Sequence, residues 1–128
     1  MKIKIGSSIK SGFTLIEVVL VVTIIGLLVA VGVPNYMKAR DNSRLSVIYS
    51  NLQQIEMAKS QWAIENRKTT GDQVDDLAML FPYFRGGKIT DAIQETYVPN
   101  AVGTPAEANL PAGVNLGPYA SGSAIPAP

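Results

Sequence analysis

The chain has 128 residues, with 11 lysines and arginines against 10 aspartates and glutamates, so its formal net charge is +1. This length allows one small domain. Neither histidine nor cysteine occurs, which removes the commonest general base, the thiolate nucleophile, the usual zinc ligands and any disulfide. Composition therefore argues against an enzyme, and we expect neither a cofactor nor a metal.

The first feature along the chain is a long apolar run that contains one carboxylate. Residues 13–33 are almost entirely apolar and would span about 31 Å as a helix, close to the roughly 30 Å hydrocarbon core of a bilayer. Glu17 lies near the start of this run, where an ionisable group is costly without a partner. We therefore expect Glu17 to pair with a positive charge.

Two other interpretations of this run stay open on the residues alone. A basic start and the small-x-small sequence Ala30-Val31-Gly32 fit an ordinary secretory signal, although the run exceeds the usual core of about 7–15 residues and contains Glu17. A plain transmembrane anchor is the other interpretation. The charge rule leaves its orientation open because basic residues flank the run on both sides, namely Lys2, Lys4 and Lys10 before it and Lys38, Arg40 and Arg44 after it.

A short basic segment leads into the apolar run through a distinctive string, Gly12-Phe13-Thr14-Leu15-Ile16-Glu17. It resembles the start of subunits in the type IV filament superfamily, which comprises type IV pilins and the pseudopilins of type II secretion. The resemblance implies a leader peptide at residues 1–12, cleaved between Gly12 and Phe13 by a prepilin peptidase. It also implies N-methylation of Phe13, and a pairing of Glu17 with the Phe13 amine of a neighbouring subunit.

Charge changes once this leader is taken away. The leader holds three lysines and no acid, so eight basic residues would face ten acidic ones and the net charge would be −2. Beyond the local cluster of Lys38, Arg40 and Arg44, no basic surface that would suit nucleic acid is left, and no nucleic-acid partner is expected.

The run continues as an amphipathic helix. Apolar residues recur at steps of three and four, which predicts a helix with one core-facing stripe, formed by Leu45, Ile48, Leu52, Ile55, Ala58 and Trp62. The residues between them are expected to face solvent, and they include Ser46, Asn51, Gln54, Glu56, Lys59 and Gln61. The helix is expected to be continuous from Phe13 to Asn66 and to stop at residues 68–72.

The softest part of this helix is predicted at residues 26–34. Pro34 lacks the N–H that a helix interior needs, at a cost of about 3 kcal/mol, and Gly26 and Gly32 each cost about 1 kcal/mol relative to alanine. Glycine and proline are also common in membrane helices, so the residues alone leave the meaning open. The resemblance implies that the helix opens between Gly26 and Pro34 when subunits enter a fibre.

The remaining sequence predicts a small and weakly structured region at residues 69–128. Residues 75–81 predict a short helix that Pro82 ends or kinks, with Leu77, Leu80, Phe81 and Phe84 covering the stripe. Asp72, Asp75 and Asp76 predict a solvated helix start rather than a calcium loop. Residues 89–98 predict one or two strands. From Pro99 onward, the abundance of proline, glycine and alanine favours an extended tail over a packed sheet, although the filament superfamily usually closes this region with an antiparallel sheet.

These expectations combine into an α+β, pilin-like fold. The expected parts are the leader at 1–12, a transmembrane and assembly half of the helix at 13–34, its amphipathic half at 35–68, and the small region at 69–128. The expected function is a structural subunit of a type IV-like filament, partnered by copies of itself, a prepilin peptidase and N-methyltransferase, an inner-membrane assembly platform and membrane lipid. It would lie in the bacterial inner membrane and then in a periplasmic or extracellular fibre. The alternative is a single-span anchored or secreted binding module.

Overall fold

A computed structural model of the chain describes residues 1–3 and 11–128. The expected leader therefore lies largely outside the described residues, and Lys4 and Lys10 lie outside them altogether. The chain divides into two compact units, Met1–Tyr36 and Met37–Pro128. A single α-helix, α1, comprises Leu15–Glu65 and supplies residues to both units. The predicted α+β fold, with one long N-terminal helix and a small C-terminal region, is confirmed.

The first unit exposes its apolar side chains. Every residue from 11 to 36 is exposed, including large side chains such as Leu15, Leu20, Ile25 and Leu28. Within the described residues, α1 is the one helix that is long and apolar enough to cross a membrane. Nothing within this unit removes the apolar surface from water, so the surface needs lipid or another chain.

The second unit buries the predicted stripe of α1. Ile48, Leu52 and Ile55 are fully buried, and Trp62 is 8% exposed. Leu45 is half-buried against the same core. This confirms the helical period read from the sequence, and it makes Trp62 a core residue. The helix ends at Glu65, close to the predicted Asn66.

A short 3₁₀ helix, Leu77–Tyr83, packs against the core through Leu80. It begins one residue after Asp76, which caps it, and Pro82 lies inside the helix instead of ending it. A 3₁₀ helix has fewer residues per turn than an α-helix. Leu80 and Phe84 are buried in the core as predicted, and Leu77 is partly buried against that core. Phe81 was predicted to join them, but it is exposed because the tighter helix turns its side chain outward.

An antiparallel sheet closes the second unit. Its strands are β1 (Thr96–Val98), β2 (Glu107–Asn109) and β3 (Ala124–Pro126), in the order β1-β2-β3. The middle residues Tyr97, Ala108 and Ile125 lie opposite one another in the register and are all buried. Alternate residues of a strand point to opposite faces, so one face of this small sheet lies on the core.

The prediction of an extended tail from Pro99 was wrong. Two of the three strands lie beyond Pro99, and Ala106, Leu110 and Leu116 are buried there. The abundance of alanine, glycine and proline was a poor guide here for two reasons. Alanine has a side chain small enough for neighbouring backbone segments to pack closely. The glycines and prolines lie mainly in the turns between strands. A hydrogen bond of 2.9 Å between the hydroxyls of Tyr49 and Tyr119 also joins this segment to α1.

Lys59 is the main departure from the predicted solvent face of α1, on which Asn51 was also placed. Its side chain is 2% exposed, and its Nζ donates to Glu56 Oε1 at 2.8 Å, to the carbonyl of Pro99 at 2.9 Å and to that of Thr104 at 2.6 Å. The same Glu56 oxygen accepts the backbone N–H of Ala106 at 2.6 Å. One ion pair thus fastens both ends of the β1–β2 connection to α1.

We expect Lys59→Met to lower the free energy of unfolding by about 3 kcal/mol. Methionine keeps the length of the side chain but leaves the carbonyls of Pro99 and Thr104 without this donor and Glu56 without its cation. The measurement is denaturant unfolding of the full chain in non-ionic detergent, followed by the fluorescence of Trp62. Lys88→Met removes an exposed lysine and should change little. Equal midpoints for the two variants would contradict a structural role for Lys59.

Candidate assembly site at the start of the long helix

The first turn of α1 is organised by Thr14 and Glu17. The backbone N–H of Glu17 donates to Thr14 Oγ1 at 3.3 Å, and the backbone N–H of Thr14 lies 3.5 Å from Glu17 Oε2. The backbone N–H of Val18 donates to the carbonyl of Thr14 at 3.3 Å, which makes Thr14 the N-cap. This reciprocal arrangement is a capping box, and its sequence signal is Thr-x-x-Glu. Sequence reasoning selected Glu17 but missed Thr14, although that signal was present.

The peptide bond between Gly12 and Phe13 lies just before α1. Both residues are exposed, and neither belongs to a helix or strand. A Cβ added to Gly12 would meet nothing within 4 Å, and its φ is not positive. The fold of the described residues therefore does not require glycine at position 12.

Phe13 and Glu17 share two adjoining hollows at the start of the helix. One, of about 300 Å³, is lined by Phe13, Glu17, Val18, Val21 and Val22. The other, of about 310 Å³, is lined by residues 11–13 and Glu17. The exposed Glu17 carboxylate thus borders an apolar surface on one side and the Gly12–Phe13 bond on the other. A charge at the edge of apolar surface is well placed to meet a cation carried by another apolar chain.

Gly26, Gly32 and Pro34 lie further along α1, away from this site. All three are in helical conformation, and a Cβ at either glycine would meet nothing within 4 Å. The structure therefore brings Phe13 and Glu17 together and leaves the Gly26–Pro34 segment separate. Space alone does not demand these glycines in the single chain.

A groove of about 400 Å³ lies beside β1, and Glu95 and Tyr97 are in its wall. Burial would raise the pKa of Glu95, but donors from the Tyr97 hydroxyl and the backbone N–H groups of Ala92 and Ile93 outweigh burial and lower that pKa. Burial, followed by the hydrogen bond to Glu95, raises the pKa of Tyr97. Because the Glu95 pKa is lowered, its stabilising effect is present at neutral pH and is lost in acid.

This Glu95 network is structural. Tyr97 also accepts a hydrogen bond of 2.8 Å from Asn51 Nδ2, and Asn51 donates to the carbonyl of Thr90 at 3.0 Å. Asn51 was predicted on the solvent face of α1 but is 7% exposed, because these partners replace water. The network joins α1 to β1 and to the segment that leads into it.

Two of the aspartates near residue 72 accept hydrogen bonds from backbone N–H groups two or three residues away. Asp72 Oδ2 accepts the backbone N–H of Thr69 at 2.7 Å, and Asp76 Oδ1 accepts that of Ala78 at 2.9 Å. Asp75 is exposed. These carboxylates shape the turn after α1 and the start of the 3₁₀ helix.

The N-terminal site lies in a segment that is similar to known proteins. Residues 8–33 match the family model described as the prokaryotic N-terminal methylation motif, which contains Gly12, Phe13 and Glu17. The type II secretion system core protein G of Pseudomonas aeruginosa is 37% identical over 57 residues. The N-terminal part of the chain is therefore similar to the superfamily of type IV pilins and type II secretion pseudopilins.

Two further relatives come from the pilin branch of this superfamily. The type IV major pilin protein PilA of Myxococcus xanthus is 41% identical over 54 residues, and the type IV major fimbrial protein FimA of Dichelobacter nodosus is 36% identical over 61 residues. The three alignments cover 42% to 48% of this chain.

The chain spans less than half the length of the curated relatives that it matches. The share of each relative that is covered is 40% for the secretion protein, 24% for PilA and 38% for FimA. No solved structure matches the chain significantly.

Proposed function

We propose that this protein is a structural subunit of a type IV-like filament, in a type II secretion system or a type IV pilus. The observation that carries the proposal is the fully exposed apolar half of α1, with Glu17 in its first turn. A helix of this kind must insert in lipid or pack among copies of itself. The homology to pilins and pseudopilins supports the same conclusion.

In the proposed maturation pathway, the first step is removal of the leader, residues 1–12. A prepilin peptidase and N-methyltransferase cleaves the exposed bond between Gly12 and Phe13 and methylates the new amine. The subunit stays in the bacterial inner membrane through residues 13–34 until an assembly platform adds it to a periplasmic or extracellular fibre. In this role the chain is not an enzyme. The rival is a single-span anchor or secreted binding module, which gives Glu17 no partner.

Glu17 recruits the subunit by charge in this scheme. Its carboxylate pairs with the methylated Phe13 amine of a neighbour, and both groups leave water together with the apolar surface around them. An ion buried without its partner is strongly destabilising. The pairing therefore fixes the axial position of each helix against the next.

The segment from Gly26 to Pro34 is proposed to open during assembly. Lipid favours a backbone that is bonded within its own helix, so the segment is helical in the membrane. Among packed subunits other backbone partners are available, and two glycines with a proline make this stretch about 5 kcal/mol poorer in helix propensity than alanine. Opening lengthens the subunit as it moves from bilayer to fibre.

The first prediction concerns the mature N-terminus. Intact-mass measurement of the native protein should show the loss of Met1–Gly12 and the addition of one methyl group, because the exposed Gly12–Phe13 bond is the cleavage site. A mature start at Val33, after Ala30-Val31-Gly32, would establish an ordinary signal peptide and refute the filament proposal.

The second prediction separates the capping of α1 from the pairing of charges at Glu17. Glu17→Gln keeps an oxygen that can accept the Thr14 N–H, since glutamine also serves in a capping box, but it removes the charge. We expect both Glu17→Gln and Glu17→Ala to be processed and to reduce sheared fibre at least about 100-fold. A lost buried pair costs about 3–5 kcal/mol, and about 1.4 kcal/mol is a factor of ten.

Thr14→Val is the matched control for this experiment, because it removes the N-cap hydroxyl and keeps the carboxylate of Glu17. Its fibre yield should stay much closer to the wild-type yield, after normalisation to processed subunit. Normal fibre from Glu17→Gln would mean that the charge is dispensable and that Glu17 acts through capping alone.

The third prediction concerns the Gly26–Pro34 segment. A fibre reconstruction at side-chain resolution should show this segment without regular helical hydrogen bonds, whereas the subunit in detergent should keep them. An unbroken helix through residues 24–36 of the fibre, apart from the bond that Pro34 cannot make, would reduce these residues to ordinary membrane-helix residues.

A further inference from the structure

Three cations lie in the first two turns of the part of α1 that belongs to the second unit. Lys38 and Arg40 are exposed and Arg44 is half-buried, and Asp41 is the one acid among them in the sequence. Further along, residues 46–64 of α1 contain only two charged side chains, Glu56 and Lys59. Positive charge on this part of the helix is therefore concentrated in its first two turns.

Within the described residues, these cations have no polar partner. Among residues 1–3 and 11–128, the only ion pair joins Lys59 to Glu56. Over the same described residues, no side-chain hydrogen bond involves Lys38, Arg40 or Arg44. This contrasts with Asn51, Lys59 and Glu95, the buried polar residues of the second unit, whose polar groups are all satisfied by partners within it.

The place of the cations in the sequence indicates what they meet. Lys38 follows the apolar run by five residues, and the exposed Tyr36 lies between them. Tyrosine is enriched at membrane–water interfaces. Long side chains on a helix lean toward its N-terminus, so those of Lys38, Arg40 and Arg44 are expected to lie over the turn of α1 that precedes each of them. Phosphates of lipid headgroups lie just beyond the hydrocarbon core that such a run fills.

We propose that Lys38, Arg40 and Arg44 bind the phosphates of anionic phospholipid headgroups at the end of the membrane-inserted segment. The proposal rests on the insertion of α1 in a membrane, as the proposed function requires. Arginine suits this role because its guanidinium binds phosphate oxygens in a bidentate manner, and lysine acts as a point charge. Each cation near an anionic surface strengthens binding roughly fivefold. This lipid contact sets the depth of the subunit before assembly.

The test is a lipid titration of the full chain in non-ionic detergent, read by native mass spectrometry. The variant K38Q/R40Q/R44Q is compared with R67Q/R85Q/K88Q, which removes the same charge from exposed positions elsewhere in the second unit. We expect the first variant to raise the half-saturating concentration of phosphatidylglycerol at least tenfold. The control variant should match the wild type, and phosphatidylcholine should bind weakly to all three proteins. The lysines of the leader are present in the wild type and in both variants, so their contribution to lipid binding does not affect the comparison.

Several outcomes would overturn the proposal. Equal retention of the two lipids, or an equal loss in both variants, would show that the position of the charges is irrelevant. Displacement of phosphatidylglycerol by inorganic phosphate at the same concentration would indicate a small-anion site, and displacement by duplex DNA a nucleic-acid site. A variant that loses only self-association would indicate that the cations face a second copy of the chain.

The lipid result is independent of fibre formation, because it is measured on separate subunits whose folding is checked by the fluorescence of Trp62. Failure to form fibres in cells would count against the proposed function and leave the lipid titration unchanged. Absence of the protein from the membrane fraction would overturn both.

Discussion

The exposure of one half of α1 is the constraint on which the rest of this molecule depends. Fifteen large apolar side chains between residues 13 and 33 are exposed, and burying each contributes about 1.5 kcal/mol or more. Their sum, above roughly 20 kcal/mol, exceeds the 5–15 kcal/mol that stabilises a typical domain. A single chain in water therefore cannot be the working state. Lipid and neighbouring helices are the two environments that satisfy this surface, and the proposed filament subunit would use both in turn.

The second unit solves the opposite problem, which is to hold a small sheet on one helix without a disulfide. Apolar burial along the stripe from Ile48 to Trp62 supplies the core. Lys59 then fixes the β1–β2 connection through Pro99 and Thr104, and Asn51 fixes the approach to β1. Side chains of α1 that donate to backbone carbonyls thus hold the sheet region on the helix.

Sequence reasoning succeeded where one period or one string carried the information. The stripe of α1 was predictable because burial on one face of a helix repeats every three to four residues. The Gly12–Glu17 string indicated the resemblance to pilins and pseudopilins because few other proteins begin in this way. It failed where burial depends on distant partners. The burial of Lys59 requires carbonyls about 40 residues away, and β2 and β3 pair through a register that composition does not encode. Thr14 was missed even though its capping signal, Thr-x-x-Glu, is local, because Glu17 was interpreted only as one partner of an ion pair.

In the proposed assembly Glu17 has two partners, the Thr14 N–H of its own chain and the Phe13 amine of a neighbouring subunit. These two interactions differ in strength, and this difference determines which forms first and which replaces it. In the single chain the Glu17 carboxylate lies 3.5 Å from the backbone nitrogen of Thr14, at the long limit of a hydrogen bond, and even a hydrogen bond of ordinary length contributes only about 0.5–1.5 kcal/mol net. Pairing with an amine in a dry interface involves a larger free energy, since losing one partner of a buried pair costs about 3–5 kcal/mol. The cap can therefore organise the first turn of α1 while the subunit is alone, and it yields when a neighbour presents its amine. A carboxylate held by stronger bonds within its own chain would resist that exchange, so the weakness of the cap is itself suited to assembly.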